Sequence, residues 1–349
     1  MPSSSPSPRL ARRALLAAPL ALAAGCSARG TSIRSDAAEA AEPLVLRLAH
    51  NLSGTHPTSI AIAAFAEAVA EHSQGRIRVD IYASGQLGSE TAVLGQLVQG
   101  IVDITRVASP GLASYHAGYH AFGLPYVFDS EEQMHQVMDS AEMTDFYRST
   151  QERGFVGLTH YTSGARSFYT KDTAIRHPED LAGMKIRVQD MRSQTDLMEA
   201  LGGAPVVMAF GDTYTALQTG LIDGAESNET VLTDSAHGEV AKVFSHTRHT
   251  IIPDLMVISS AAWERLAPAD QELLAQAALQ SSLDHRAAWA EAITAAEEEA
   301  EVMGVEFVED VDLDAFRAAT RPVLESFSAE YPEVEDVLTL VDSLSEETS

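Results

Sequence analysis

The sequence contains one cysteine, which excludes an internal disulfide framework, a multi-cysteine metal site and an iron–sulfur cluster. Whatever Cys26 does, it does alone. Basic residues are also scarce: 23 Lys and Arg stand against 50 Asp and Glu, a formal charge of −27 over 349 residues. Like-charge repulsion therefore argues against nucleic acid or an anionic membrane surface as partner. No apolar run approaches the roughly 18 residues that read as a membrane-spanning helix. Enzyme signatures are missing too: there is no GxSxG elbow, no phosphate loop ending in Gly-Lys-Ser/Thr, no GxGxxG after the first strand and no HExxH. What is present is a chain with 45% hydrophobic residues, enough for one large or two ordinary domains with real cores.

The beginning reads as an address. Arg9, Arg12 and Arg13 precede an uncharged run from Ala14 to Ala24, too short to cross a bilayer, and residues 1–25 are predicted to be a secretory signal peptide. The run ends in Ala24-Gly25-Cys26, similar to a lipoprotein cleavage box, which predicts Cys26 as a lipid attachment site. Ala23 departs from the usual box, and ordinary cleavage beside an incidental Cys is the alternative. Arg12-Arg13 also fits a twin-arginine export signal, without the residues that normally surround the pair. Either route leads outside the cytoplasm, to the periplasm or the outer face of the cell membrane. Residues 26–43 are small, polar and aperiodic, as in a flexible lipid-anchored linker. Removing residues 1–25 takes away three Arg and no acid, which carries the formal charge to −30.

The body alternates strand and helix. An apolar run at Leu44–Ala49 is followed by Ile62, Phe65, Ala66 and Val69 at helical spacing, ended by Gly75; Ile77, Val79 and Ile81 then alternate as a strand. Further strands are predicted near Val102–Val107, Phe155–Tyr161, Lys185–Gln189, Val206–Ala209 and Ala241–Ser245. Ser130-Glu131-Glu132-Gln133 is a capping-box pattern opening a helix to about Arg153. This order predicts an α/β protein. From Pro268 to Gly304 no other Gly or Pro interrupts an Ala/Glu/Leu/Gln-rich stretch, which gives one helix of about 36 residues, roughly 50 Å long. A helix of that length lies most simply across two lobes.

Candidate chemistry is sparse. His116/His120 and His246/His249 have no carboxylate or Cys at ligand spacing, so no metal site is predicted, and no cofactor. Glu297, Glu298, Glu299 and Glu301 read as a solvated helix face. Arg stands out instead. Arg166 follows an apolar strand, and Arg187 lies within Lys185-Ile186-Arg187-Val188-Gln189, facing opposite to Ile186 and Val188. A guanidinium there needs a carboxylate, either from the protein or from a ligand.

Gly183-Met184-Lys185-Ile186-Arg187-Val188, Ala200-Leu201-Gly202-Gly203-Ala204-Pro205 and the stretch Tyr214 to Glu226 resemble the solute-binding subunits of tripartite ATP-independent periplasmic (TRAP) transporters, the DctP-type family. Ser84 to Gly88, Leu124 to Phe128 and Ser163 to Tyr169 extend the resemblance over about residues 44–330. It implies a two-lobed periplasmic-binding-protein-like (Venus-flytrap) fold with cross-over strands and a long helix spanning both lobes. The corresponding division is residues 44–163 plus 253–290 as lobe I and 164–252 plus 291–349 as lobe II, with the ligand cleft between them. The resemblance also implies a carboxylate clamp at Arg187 and Arg166, with ligand-facing positions at Asn51, Glu90, Phe210 and Ser227. Each of the last four has a plainer reading: Asn51 as a helix cap, Glu90 as a first-turn acid, Phe210 as core, and Ser227 as a shorter residue where many relatives have Asn, with Asn228 as its substitute. Arg192 fits a second carboxylate or a surface position.

Within the family, Ser163–Tyr169, Gly220–Glu226 and His237–Pro253 look most like the members that bind hexuronates such as D-glucuronate and D-galacturonate. A dicarboxylate, 2-oxo acid or hydroxy acid is the alternative ligand, and an extracytoplasmic sensor feeding a receptor kinase the alternative role. The implied partners are the small and large membrane permease subunits, with a monomeric, non-enzymatic protein meeting the membrane only through its lipid.

Overall fold

The computed structural model describes residues 42–346; the predicted signal peptide and Cys26 lie outside the described residues. Strands β1 (Leu44–Ala49), β2 (Ile77–Tyr82), β3 (Ile104–Ala108), β4 (Phe155–Tyr161) and β10 (Asp254–Ser259) form one sheet, ordered β2-β1-β3-β10-β4. A second sheet, ordered β11-β9-β5-β8-β6-β7, is built from β5 (Ala165–Thr170), β6 (Lys185–Val188), β7 (Ala204–Val207), β8 (Gly224–Ser227), β9 (Val243–Ile251) and β11 (Glu306–Val308). Both sheets are mixed. In the first, β10 runs antiparallel between β3 and β4; in the second, β5 runs antiparallel between β8 and β9.

The chain therefore passes from the first sheet to the second between β4 and β5 and returns between β9 and β10. The two passages lie side by side, since Tyr161 pairs with Asp254 on one side of the crossing and Ala165 with Ile251 on the other. Ser163 Oγ donates to the carbonyl of Ile252 at 2.8 Å and ties them together. Gly164 sits in this crossing at φ +69°, and a Cβ there would come within 3.2 Å of the Trp289 ring and 3.3 Å of Asn228. Glycine supplies both the left-handed backbone and the clearance.

Trp289 belongs to the helix Pro268–Val302, whose 35 residues match the length expected from the sequence. Its Leu274 and Ala278 pack with Leu46, Leu48, Ile62 and Phe65 against the first sheet, whereas Ala300 packs with Tyr169, Ala225 and Phe244 of the second. One rod thus contributes to both cores. Among the described residues no helix is long and apolar enough to cross a membrane.

The structure adds strands β5, β8 and β10 to those read from the sequence and departs from that reading elsewhere as well. The helix expected from Ser130 to about Arg153 is split into Glu131–Met138 and Ala141–Arg148, because Ser140 caps a fresh start by accepting the Met143 N–H at 3.1 Å. The strand expected near Ala241–Ser245 extends to Ile251, its second half carrying buried His, Thr and Ser that conceal the alternation. The closing helix Pro332–Glu346 places Val334, Val337 and Val341 in one core with Leu97, Phe122 and Val137, residues of elements flanking the first sheet. The sequence division had grouped all of 291–349 with the second lobe. The apolar stripe at helical spacing needs a cover, and finds it there.

Candidate binding cleft

A cavity of about 510 Å³, within the range of small-molecule sites, opens between residues of the two sheets. Asn51 follows β1, Glu90 opens the helix Glu90–Val98, Arg106 lies in β3 and Asp254 starts β10; these form one wall. Arg166 of β5, Arg187 of β6, Gln189 just beyond it, Phe210 after β7 and Ser227 at the end of β8 form the other. The structure brings Asn51, Glu90, Arg166, Arg187, Phe210 and Ser227 together on this one cavity. Strand parity explains Arg187: Ile186 and Val188 are buried in a core with Phe168 and Leu197, so the intervening side chain faces the cleft.

Three buried guanidiniums stand around the cavity in different electrostatic conditions. Arg106 is held on both sides: Nε donates to Asp254 Oδ2 at 2.6 Å, with Nη2 bonded to the same oxygen, while Nη1 donates to Glu90 Oε2 at 2.9 Å and to Asn51 Oδ1 at 3.3 Å. Arg166 donates through Nε to Glu226 Oε2 at 2.5 Å and through Nη2 to the Glu226 carbonyl at 2.7 Å. Arg187 differs. Its Nε and Nη2 donate to the carbonyl of Met208 at 3.3 and 3.1 Å, and among the described residues it forms no ion pair. Its guanidinium lies 5.8 Å from the Phe210 ring centroid.

The acids respond to these partners. Burial pushes the carboxyl of Glu90 up against the pull of Arg106, and burial likewise raises Asp254. Burial also works against the charge of Glu226, but Arg166 and His249 overcome it and bring that group down to about 2. Asp254 Oδ1 and Gln189 Oε1 are buried acceptors without a hydrogen-bond partner, as is Glu226 Oε1 behind the wall. Unmet acceptors beside a cleft call for hydroxyl or amide donors.

Several plainer readings are resolved by these contacts. Asn51 does not cap the first helix; His56 does, its Nδ1 accepting the Thr58 N–H at 3.1 Å. Glu90 is a first-turn acid, but its carboxylate is also held by Arg106 and by the Ala108 N–H at 3.1 Å. Phe210 is half-buried, touching the second core while lining the cavity. Asn228 donates to the Ser163 carbonyl at 2.8 Å and accepts from Thr230 N and Oγ1, so its amide holds the crossing and helix start together. Arg192 is bound at the surface by Asp196 and Glu330. His116 caps a 3₁₀ turn and His120 packs on Phe327 and Tyr331.

Sequence reasoning missed Arg106 and Asp254. Their signal was available in part, because Arg106 lies within a strand between Ile104 and Val107 as Arg187 lies between Ile186 and Val188. The pair is structural as well as cleft-forming. Asp254→Ala leaves a buried guanidinium without its main partner, and a loss of ~3–5 kcal/mol is expected by denaturant unfolding. Retention of the full midpoint in that variant would show that the pair does not stabilise the fold.

A cleft between two mixed sheets, crossed by paired strands and lined by buried arginines and acceptors, defines a two-lobed solute-binding protein. The pattern of the Bacterial extracellular solute-binding protein, family 7, matches residues 48–330, and the chain belongs to that family. It is 37% identical over 282 residues to YiiZ of Salmonella typhimurium, covering 80% of this chain and 85% of that protein. A TRAP periplasmic solute-binding protein of Anaerococcus prevotii with bound D-glucuronate superposes with a TM-score of 0.84 at 35% identity, over 87% of this chain and 99% of that one. A Sulfitobacter relative with bound β-D-galacturonate gives 0.82 at 34%, over 85% and 99%. The fold and the family of extracytoplasmic solute-binding proteins are thus those expected from the sequence.

Proposed function

We propose that this chain captures a hexuronate, D-glucuronate or D-galacturonate, outside the cytoplasm and hands it to the small and large membrane subunits of a TRAP transporter. The observation that carries this reading is the asymmetry of the cleft. Arg187 is a buried fork of donors without a carboxylate, while the facing wall holds Glu90, Asp254 and the unmet acceptor Asp254 Oδ1. One carboxylate and several hydroxyls complement that distribution. A dicarboxylate would set its second charge against Glu90 and Asp254, so the alternative ligand class fits less well. Bound D-glucuronate and D-galacturonate in structural relatives support the same choice.

In this reading the sugar carboxylate lies on Arg187, with Arg166 completing the clamp. Asn51, Glu90 and Ser227 meet hydroxyls, and Phe210 packs a sugar face. Ligand contacts reach both lobes, one built on the first sheet together with the closing helix Pro332–Glu346 and the other on the second sheet, and so favour their closed arrangement over the open one. No bond is broken; the ligand leaves unchanged. Attachment through Cys26 after removal of residues 1–25 would keep the monomeric body near its permease.

Thermal shift of residues 27–349 against uronates, aldonates, dicarboxylates and 2-oxo acids tests the ligand class. Hexuronates are expected to raise the melting temperature by several degrees at 100 times their dissociation constant, equivalent to ~2.7 kcal/mol. A shift with succinate or a 2-oxo acid and none with hexuronates would overturn the assignment.

A further inference from the structure

A second cluster lies outside the cleft. Glu229 precedes the short helix Thr230–Asp234, His246 is in β9, Glu297 is on the helix Pro268–Val302, and Glu309 follows β11. One donor atom from each of Glu229, His246 and Glu297 lies within 4.8 Å of the other two. The sequence offered no carboxylate at ligand spacing to His246; folding brings them from separate elements. Glu229 and His246 are buried, at 7% and 4% exposure, and Glu297 is half-exposed toward solvent.

The buried histidine adds a nitrogen donor to the acids. Its Nδ1 is buried, has no hydrogen-bond partner and lies 3.5 Å from Glu229 Oε1. Its Nε2 lies 3.1 Å from Glu309 Oε1 and 4.0 Å from Glu297 Oε1. A neutral imidazole with its proton on Nε2, toward Glu309, leaves the Nδ1 lone pair free on the Glu229 side. A carboxylate receiving the second ring N–H is the usual support of a metal-bound histidine. The positive charge already present is small: Arg248 is exposed and reaches Glu309 at 3.8 Å.

We propose that Glu229, His246 and Glu297 bind one divalent transition-metal ion, with Glu309 orienting the imidazole. One nitrogen and two carboxylates suit Zn²⁺; Ca²⁺ and Mg²⁺, which take oxygen ligands, suit the site poorly, and Mn²⁺ binds more weakly in the same donor set. Glu229 stands two residues beyond the cleft residue Ser227. The ion would therefore fasten the end of β8 to β9 and the long helix, and would stabilise the fold as any ligand of the native state does.

The test uses untagged protein freed of metal with chelator and titrated with ZnCl₂ against a chromophoric competitor. One Zn²⁺ per chain is expected, weakened at least tenfold in His246→Ala and in Glu297→Gln, and unchanged in Glu298→Gln on the exposed face. Glu297 is exposed enough for its variant to keep the fold, which circular dichroism checks. Anomalous scattering at the zinc edge should place the ion among the three side chains. Absence of stoichiometric binding, equal binding in Glu297→Gln, or an ion located elsewhere would overturn the proposal. Hexuronate binding is measured separately, and either result there leaves this one standing.

Discussion

Replacing Arg187 by Ala should abolish ligand binding while leaving the protein as stable as before, or slightly more stable. Two charge-assisted hydrogen bonds to a carboxylate at ~1.5–3 kcal/mol each correspond to a loss of affinity of roughly a hundredfold or more. The stability half of the expectation follows from what Arg187 lacks. Burial pulls its guanidinium below its ordinary value, and its direct hydrogen bonds go to the Met208 carbonyl alone. Removing it relieves a buried charge whose desolvation outweighs the attraction of Glu226 and Glu90, and it breaks no direct ion pair. Arg166 makes the contrast. Its loss would leave Glu226 buried without its main partner, at a cost of ~3–5 kcal/mol, so Arg166→Ala should lose stability together with binding. Arg187→Lys keeps the charge but not the planar fork, and should still bind at least ~10-fold more weakly. Calorimetric titration and denaturant unfolding of the three variants check this. Wild-type affinity in Arg187→Ala would dismiss the clamp.

The second large effect is a loss of stability in mild acid. Burial holds His50, His135, His237 and His285 at about 4, and His56 and His160 at about 3, below an ordinary value of 6.5. A histidine with a lowered folded-state value carries fewer protons in the fold than in the unfolded chain. Falling pH through 6.5 toward 4 therefore favours unfolding, and the stability is regained as pH rises. Each such histidine contributes up to ~1.4 kcal/mol per pH unit, so even two acting fully remove ~3 kcal/mol per unit from a stability of ~5–15 kcal/mol. Glu226 acts in the same direction lower down: held at about 2, it supplies stability present above its unfolded value and lost as pH falls from about 4.5 toward 2. Glu229, pushed by burial up to about 7, and Glu90, Glu131 and Asp254, also raised by burial, oppose the trend in part, since they take up protons in the fold before the unfolded chain does. Melting followed by circular dichroism from pH 7.5 to 4.5 should show a steep fall below about pH 6. A flat or rising midpoint between pH 7 and 5 would mean that these imidazoles are hydrated in solution.

Periodicity was enough for the body of the fold. The β1-helix-β2 opening, the parity of Arg187 and the helix Pro268–Val302 were all legible, because each depends on neighbours in sequence. What was not legible depends on partners far along the chain. Arg106 is explained by Asp254, 148 residues away, and without that partner its strand looks like any apolar run. β10 is covered on both faces by other elements and has no polar alternation to mark it. The second half of β9 is hidden for the opposite reason, since it carries buried Thr and His, of which Thr247 bonds Phe168 N, the Tyr126 hydroxyl and His249 Nδ1. His246 drew attention as one of a His pair, yet its partners come from three other elements. The reading of Asn51 as a helix cap could be set aside only once His56 was seen in that place, and the hold of Asn228 on the crossing shows only in the fold.

The most direct test of the central claim is a crystal structure of residues 27–349 grown with D-glucuronate. The sugar is expected in the cleft, its carboxylate paired with the Nη1 and Nη2 end of Arg187, the Nε edge being held by the Met208 carbonyl, and its hydroxyls within hydrogen-bond distance of Glu90 and Asp254. A carboxylate turned toward Arg106 instead, or a cleft that stays without sugar at saturating D-glucuronate, would contradict that claim.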